Sequence, residues 1–256
     1  MILTDTHTHL YSEQFNEDID TVIQNSINKG ITRFFLPNID STSIGGMLKL
    51  GTDYPDNCFP MMGLHPTSVG ANYKKELAIV EDWMNKQKFC AIGEIGIDLY
   101  WDKTFIKEQQ EAFRFQIELA KKHDLSFVIH CRDAFDEIFE ILDELNDTKM
   151  RGIFHCFTGT VEQANHIINY GDFKIGIGGV VTFKNSGLDK VVEQIDLKHL
   201  VLETDAPYLA PTPFRGKRNE STYLYTIAEK VADIYNISIE EVAKITTENS
   251  KQVFGF

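Results

Sequence analysis

The chain has 256 residues, of which 43% are hydrophobic and 25% are charged, and its formal net charge is −13. This composition is that of an ordinary globular protein, and the acidic balance argues against a broad basic surface that grips duplex nucleic acid non-specifically. The length is typical of an α/β barrel, and we expect residues 1–256 to form a single domain.

Short apolar, β-rich runs alternate along the chain with longer segments of helical periodicity, which predicts repeated βα units and a parallel sheet. Eight runs are predicted strands: Ile2–Asp5, Ile31–Leu36, Phe59–Gly63, Phe89–Gly93, Ser126–Ile129, Gly152–Phe154, Phe173–Gly178 and Leu200–Glu203. Between the sixth and seventh runs, Thr160 and Gln163 predict a capping box at the start of a helix.

Eight such units predict an α/β fold of the (β/α)₈ TIM-barrel type. The structural alternative is an open, doubly wound sheet, which usually carries a glycine-rich turn after its first strand. Here the first strand is followed by Thr6-His7-Thr8-His9, which is not a phosphate-binding turn of that kind. The closed barrel is therefore the favoured prediction.

The four cysteines include no Cys-x-x-Cys pair, and a chain of this size needs no disulfide, so we expect reduced thiols. The sequence has neither the pattern of a signal peptide nor an apolar run long enough to span a membrane. We expect a cytoplasmic location, no membrane association and no obligate protein partner.

Ionisable side chains follow most of the predicted strands. They are His7 and His9 after the first, His65 after the third, Glu94 after the fourth, His130 after the fifth, His155 after the sixth, and Glu203 and Asp205 at the eighth. Each placement alone is often structural, since a histidine after an apolar run is commonly a core residue. The carboxyl ends of barrel strands form one rim, where active sites are built, so the joint pattern predicts a metal site.

Imidazole and carboxylate donors without thiolate suit zinc, magnesium or manganese. Six donors exceed the need of one tetrahedral ion, so we expect two divalent metal ions. The expected ligands are His7, His9 and Asp205 for one ion and His130 and His155 for the other, with Glu94 bridging both. Among the catalytic candidates, Asp205 and Glu94 would act at the metals. Glu203 orients a ligand, binds a further ion or is only a structural partner.

Recognition of an anionic substrate needs donors beyond the metals. The candidates are His65, Arg132 and three cations of the loop after the eighth strand, Arg215, Lys217 and Arg218. The plainer interpretation of this loop is a solvated turn, but its position beyond Asp205 favours a clamp on the substrate. Tyr100, Trp101 and Phe214 could stack on bases, or they could be ordinary packing residues.

Several of these segments together resemble the TatD-type deoxyribonucleases, a branch of the amidohydrolase superfamily. The matching segments are Asp5-Thr6-His7-Thr8-His9, Gly63-Leu64-His65-Pro66, Ala91-Ile92-Gly93-Glu94-Ile95-Gly96, His130-Cys131-Arg132-Asp133-Ala134, His155-Cys156-Phe157-Thr158-Gly159, Leu202-Glu203-Thr204-Asp205-Ala206-Pro207 and Arg215-Gly216-Lys217-Arg218-Asn219. The resemblance implies a (β/α)₈ barrel and the same six metal ligands. It also implies divalent-metal-dependent cleavage of DNA phosphodiester bonds, as a 3′ to 5′ exonuclease on single-stranded DNA.

Two other classes of function remain as alternatives. The same metal pair would serve a small-molecule amidohydrolase or lactonase, or a hydrolase of an ester on a nucleic acid such as an aminoacyl-tRNA. The cationic loop and Arg132 favour phosphate instead. A metal-stabilised barrel without catalysis is the least favoured alternative, because a complete ligand set accompanied by the catalytic candidate Asp205 is typical of an enzyme.

Overall fold

The computed structural model describes residues 1–256 and contains eight strands and nine α-helices in strict alternation up to the eighth helix. The strands are β1 (Leu3–Asp5), β2 (Ile31–Leu36), β3 (Cys58–Pro60), β4 (Ile92–Asp98), β5 (Phe127–Arg132), β6 (Gly152–Phe154), β7 (Phe173–Ile177) and β8 (Leu200–Leu202). The helices are α1 (Ile19–Asn28), α2 (Ile44–Asp53), α3 (Tyr73–Lys86), α4 (Ile106–His123), α5 (Phe135–Leu145), α6 (Val161–Asn169), α7 (Leu188–Val192), α8 (Leu224–Tyr235) and α9 (Ile239–Phe254).

All strand pairs are parallel, in two ladders with the orders β1-β2-β3 and β4-β5-β6-β7-β8. A parallel bridge between Met62 and Ile92 connects the two ladders on one side. On the other side, the amide of Thr6 donates to the carbonyl of Leu202 at 3.1 Å. The predicted (β/α)₈ barrel is confirmed, with α9 added after the last unit.

Apolar residues form two layers, because neighbours along a strand point to opposite faces. A cluster of 59 buried residues fills the space between strands and helices. A second cluster of seven, in the barrel interior, takes the intervening positions, such as Val128, Ile153 and Val201. Within this inner layer, Val253 of α9 packs beside Phe35, whose ring stacks on Phe254 at a centroid distance of 3.8 Å.

Helix α9 lies across the amino-terminal end of the strands. Asn249 Nδ2 donates to the carbonyls of Leu197 and Leu200 at 2.9 and 2.7 Å, at the start of β8. Thr247 Oγ1 donates to the carbonyl of Ile2 at 3.1 Å, just before β1. The last helix therefore closes the floor of the barrel and leaves the opposite rim free for chemistry.

The largest boundary difference is at β4, predicted at 89–93 and found at Ile92–Asp98. The apolar run ends at Gly93, whereas the strand continues through Glu94, Gly96 and Asp98. These polar or small residues face the site rather than a packed core, so the apolar pattern does not mark this half of the strand. β5 likewise runs to Arg132, so that Glu94 and His130 lie within strands and not after them.

Local helix signals agree with the structure. The predicted capping box is present, with Thr160 Oγ1 accepting from the amide of Gln163 and the side chain of Gln163 accepting from the amide of Thr160.

All four cysteines are unpaired. None of the helices combines the length and hydrophobicity needed to cross a membrane.

Candidate metal centre

Glu94 projects from β4 into the centre of the rim, and its Oε2 faces the two histidines that follow β1. Oε2 lies 3.1 Å from His7 Nε2 and 3.7 Å from His9 Nε2. Asp205 Oδ1 approaches the same two nitrogens, at 3.7 Å from His7 and 3.5 Å from His9. The two Nε2 atoms are only 3.3 Å apart. The four donor atoms come from the loop after β1, from β4 and from the loop after β8, and they surround a single position.

The other oxygen of Glu94 faces a different set of histidines. Oε1 lies 2.8 Å from His130 Nδ1, 3.4 Å from His155 Nε2 and 3.3 Å from His65 Nε2. His130 Nε2 in turn lies 2.8 Å from Asp98 Oδ2. One carboxylate thus stands between two groups of imidazoles, with a separate oxygen directed at each.

The electrostatics of this cluster keep the carboxylates ionised. Burial alone would raise the pKa of Glu94, but the surrounding imidazoles, His65 and His7 first, hold it well below its usual range. For Asp205, burial is likewise outweighed by the hydrogen bond to His9 and by nearby imidazoles, which lower its pKa. Burial lowers the pKa of His7. The ionised form of Glu94 and Asp205 is the one in which these carboxylates can bind a metal ion.

Glu203, which follows β8, is completely buried against His155. Its Oε1 lies 2.9 Å from His155 Nδ1 and accepts a hydrogen bond from the amide of Cys156 at 2.6 Å. Burial alone would lower the pKa of His155, but Glu203 and then Glu94 raise it to about 10. Gly176 makes room for this carboxylate, since a Cβ at that position would lie 2.3 Å from Glu203 Oε2. Among the roles considered for Glu203, the contact with His155 supports the one in which Glu203 orients a metal ligand.

We expect Glu203→Gln to reduce metal affinity or turnover by about 10- to 100-fold, because the neutral amide oxygen accepts the Nδ1 proton of His155 more weakly than the carboxylate does. Calorimetric metal titration and turnover rates would measure this. Asp143→Asn is the matched control, since Asp143 Oδ1 lies 3.0 Å from His166 Nε2 far from the rim. Equal effects of the two substitutions would contradict the orienting role.

Three polar residues around the site carried no functional prediction from the sequence. Asp98 contacts His130, and Tyr11 Oη lies 2.8 Å from His9 Nδ1. Buried Asp5 accepts hydrogen bonds from the amide and hydroxyl of Thr204 at 2.9 and 2.6 Å. The Asp-x-His-x-His spacing was the available signal for Asp5. Neither Asp98 nor Tyr11 stands at a strand end of the predicted pattern, so only the fold reveals them.

The proposed substrate cations have different surroundings. The guanidinium carbon of Arg132 lies 3.7 Å from the ring centroid of Tyr100, and that of Arg215 lies 3.8 Å from the ring of Phe183. Lys217 is exposed. Arg218 instead forms a two-pronged ion pair with Asp18 at 2.8 and 2.7 Å. Asp18 thus pairs with the charge of Arg218, and a role for Arg218 in the clamp stays a prediction.

Two observations test whether the residues fit a divalent cation. Buried His7 Nδ1 and Glu203 Oε2 have no hydrogen-bond partner within the protein. Several groups of three donors, including His7 with His9 and Glu94 and also His65 with Glu94 and His130, have ligand atoms within 4.8 Å of one another. A further group joins His155 and Asp205 with Cys156, so most of the donors are nitrogen and oxygen atoms. The donor set fits hard or borderline divalent ions.

Comparisons with known proteins identify the family of the chain. Residues 4–255 match the family model described as TatD related DNase. The chain is 39% identical over 254 residues to YabD of Bacillus subtilis, described as an uncharacterized metal-dependent hydrolase, and the match covers 99% of both chains. It is 32% identical to YcfH of Escherichia coli K12, with the same description, over 99% of this chain and 96% of the relative.

Solved structures show the same fold over nearly the whole chain. The crystal structure of YjjV, a TatD homologue of Escherichia coli, superposes with a TM-score of 0.93 at 26% identity and covers 99% of this chain and 98% of its own. A TatD family hydrolase of Entamoeba histolytica superposes with a TM-score of 0.85 at 24% identity, with the same coverage. The chain therefore belongs to the TatD family of metal-dependent hydrolases.

Proposed function

We propose that the protein is a deoxyribonuclease that uses two divalent metal ions and removes nucleotides from single-stranded DNA in the 3′ to 5′ direction. The proposal depends on one observation: the two carboxylate oxygens of Glu94 face different histidines. Oε2 faces His7, and Oε1 faces His130. A carboxylate shared in this way suits two ions about 3.5–4 Å apart.

The residues at the rim divide into two ligand sets. His7, His9 and Asp205 would hold one ion, His130 and His155 the other, and Glu94 would contribute one oxygen to each. When bound, such ions lower the pKa of a water molecule and offset the charge that develops on a phosphoryl group. Zinc, magnesium and manganese are all compatible with the imidazole and carboxylate donors.

The chain's own residues supply orientation and proton transfer. Asp205 has a lowered pKa and a side chain that is 13% exposed, so it can accept a proton from the attacking nucleophile. Glu203 holds the Nδ1 proton of His155, which directs Nε2 at Glu94. His65 Nε2 lies 3.3 Å from Glu94 Oε1, and Arg132 ends β5 two residues beyond His130, so the two side chains would be available to orient a phosphate.

Phosphate is favoured over a lactone or cyclic amide because exposed cations follow or end the strands that carry predicted ligands. Arg132 follows His130 by two residues, and Arg215 and Lys217 are exposed on the loop beyond Asp205.

The proposed cytoplasmic location is supported by the four unpaired cysteines, which are typical of a reducing compartment.

The test compares a labelled single-stranded oligonucleotide with a panel of lactones, cyclic amides and an aminoacyl-tRNA. We expect metal-dependent loss of nucleotides from the 3′ end, abolished by chelator. Asp205→Asn should reduce this turnover by about 10²- to 10⁴-fold, because it removes the proton acceptor. Asp189→Asn, a partly exposed carboxylate of α7, is the control. Wild-type rates in fully metal-loaded Asp205→Asn would exclude this role, and hydrolysis of the small esters alone would replace the proposed substrate.

A further inference from the structure

Two large aromatic side chains stand in solvent on the loop between β4 and α4. Tyr100 is 53% exposed and Trp101 is 72% exposed, and Trp101 is the most exposed large hydrophobic side chain of the protein. Their ring centroids are 4.8 Å apart and the rings are nearly perpendicular, at 89°. Adjacent exposed aromatic rings are unfavourable in water and commonly mark a binding surface.

A direct chain of contacts connects these rings to the metal centre. Asp98 Oδ1 accepts hydrogen bonds from the amides of Tyr100 and Trp101 at 3.0 and 3.4 Å. The other oxygen of Asp98 lies 2.8 Å from His130 Nε2. One carboxylate therefore fixes the aromatic loop and a predicted metal ligand together, which connects the loop to the proposed metal centre.

Arg132 completes the group from the end of β5. Its guanidinium carbon lies 3.7 Å from the Tyr100 centroid and 5.3 Å from the Trp101 centroid. The planar guanidinium and the rings offer flat surfaces of the kind on which nucleobases stack.

A cavity of about 650 Å³, lined by Tyr100 and Arg132 but not by Trp101, opens between the loops that follow β5 and β6. This volume is within the usual range for a small-molecule site and accommodates a nucleoside. Asp133, Asp136 and Glu137 also line the cavity, and their charges repel phosphate. The occupant favoured by this lining is therefore a base, whose amino groups can donate to carboxylates.

We propose that Tyr100, Trp101 and Arg132 form a stacking subsite for the nucleobase adjacent to the phosphate that is cleaved. The inference rests on the proposed nuclease function and gives it a cause for strand selectivity. A base inside a duplex has both faces covered by its neighbours, so only an unpaired base can lie on these rings.

The chain has two tryptophans, Trp83 and Trp101, so Trp83→Phe leaves Trp101 as the sole tryptophan reporter. This variant would be titrated with a phosphorothioate single-stranded oligonucleotide and with an abasic strand of the same length and charge. We expect Trp101 fluorescence to be quenched by the base-containing strand and to stay unchanged with the abasic strand. The same response to both strands, or to neither, would overturn the subsite.

Kinetics provide the second measurement. Trp101→Ala should raise KM for a single-stranded oligonucleotide by about tenfold, since one base stacked on an aromatic ring contributes roughly that factor in affinity. We expect kcat to change little and hydrolysis of bis(p-nitrophenyl) phosphate to be unaffected, and Trp101→Phe should retain most of the affinity. Phe115→Ala is the matched control, because Phe115 is an exposed aromatic residue of α4, at 37%.

The outcomes separate the subsite from the proposed function. If the wild type cleaves oligonucleotides and Trp101→Ala behaves like Phe115→Ala, the subsite is wrong and the nuclease stands. If the wild type cleaves no nucleic acid, the proposed function fails, and the fluorescence titration alone then decides whether a base binds. An equal loss on the oligonucleotide and on bis(p-nitrophenyl) phosphate would also reject the subsite, because it would indicate damage to the metal centre.

Discussion

Glu94→Gln is expected to lower turnover by about a thousandfold or more while the protein remains folded. The carboxylate is 1% exposed and is the one side chain with an oxygen directed at each group of imidazoles. An amide keeps the volume but offers one neutral oxygen, so the bridge between two ions is lost. Stabilisation of charge by bound metals contributes several kcal/mol to such reactions, and each factor of ten corresponds to about 1.4 kcal/mol.

Three measurements would check this expectation: the turnover rate, the number of bound metal ions per chain, and the melting temperature. Rim residues seldom carry barrel stability, so the melting temperature of the metal-free protein should change little. Glu76→Gln is a suitable control, because Glu76 is a half-buried carboxylate that accepts hydrogen bonds from the amide and hydroxyl of Ser41 and from no predicted metal ligand. A Glu94→Gln protein with wild-type metal content and turnover would remove the bridging role.

Gly96→Ala is expected to have the largest effect on stability, a loss of about 3 kcal/mol or more. Gly96 has a φ of +139° and pairs with His130 across β4 and β5. A Cβ there would lie 2.0 Å from the carbonyl oxygen of His130, so the two strands would have to separate. Because His130 lies on the displaced strand, metal binding should weaken as well.

Thermal unfolding would measure the loss, and a decrease in melting temperature of roughly 6–12 °C corresponds to it in a protein of this size. Gly171→Ala separates the two causes. Gly171 also has a positive φ, +96°, but a Cβ there would have no atom within 4 Å. Gly171→Ala should therefore show only the backbone cost, which is smaller. If both variants lost the same stability, the contact with His130 would not matter.

The sequence predicts the barrel well because its strands are mostly continuous apolar runs. β2 and β6 have the predicted bounds, and β1 and β8 differ only at one end. β3, β4 and β5 differ at both ends, and β4 differs most, since a strand that carries Glu94 and Asp98 inside a rim does not have the apolar pattern of a buried strand. Hydrophobic periodicity therefore identifies β4 but places it too early.

The convergence of the rim residues follows from barrel topology, so the sequence could place His7, Glu94 and His130 in one region. Pairwise contacts between distant segments leave no comparable pattern. The ion pair of Arg218 with Asp18 joins residues 200 positions apart, and nothing in the local sequence distinguishes Arg218 from Arg215. The same limit applies to Asp98, whose contact with His130 depends on the register of β4 against β5.

The seal that α9 forms has a consequence for the hydration of the barrel interior. Val253 and Phe254 pack into the inner layer against Phe35 of β2. Detachment of this one helix would therefore let water reach the apolar lumen from the end opposite the metal centre.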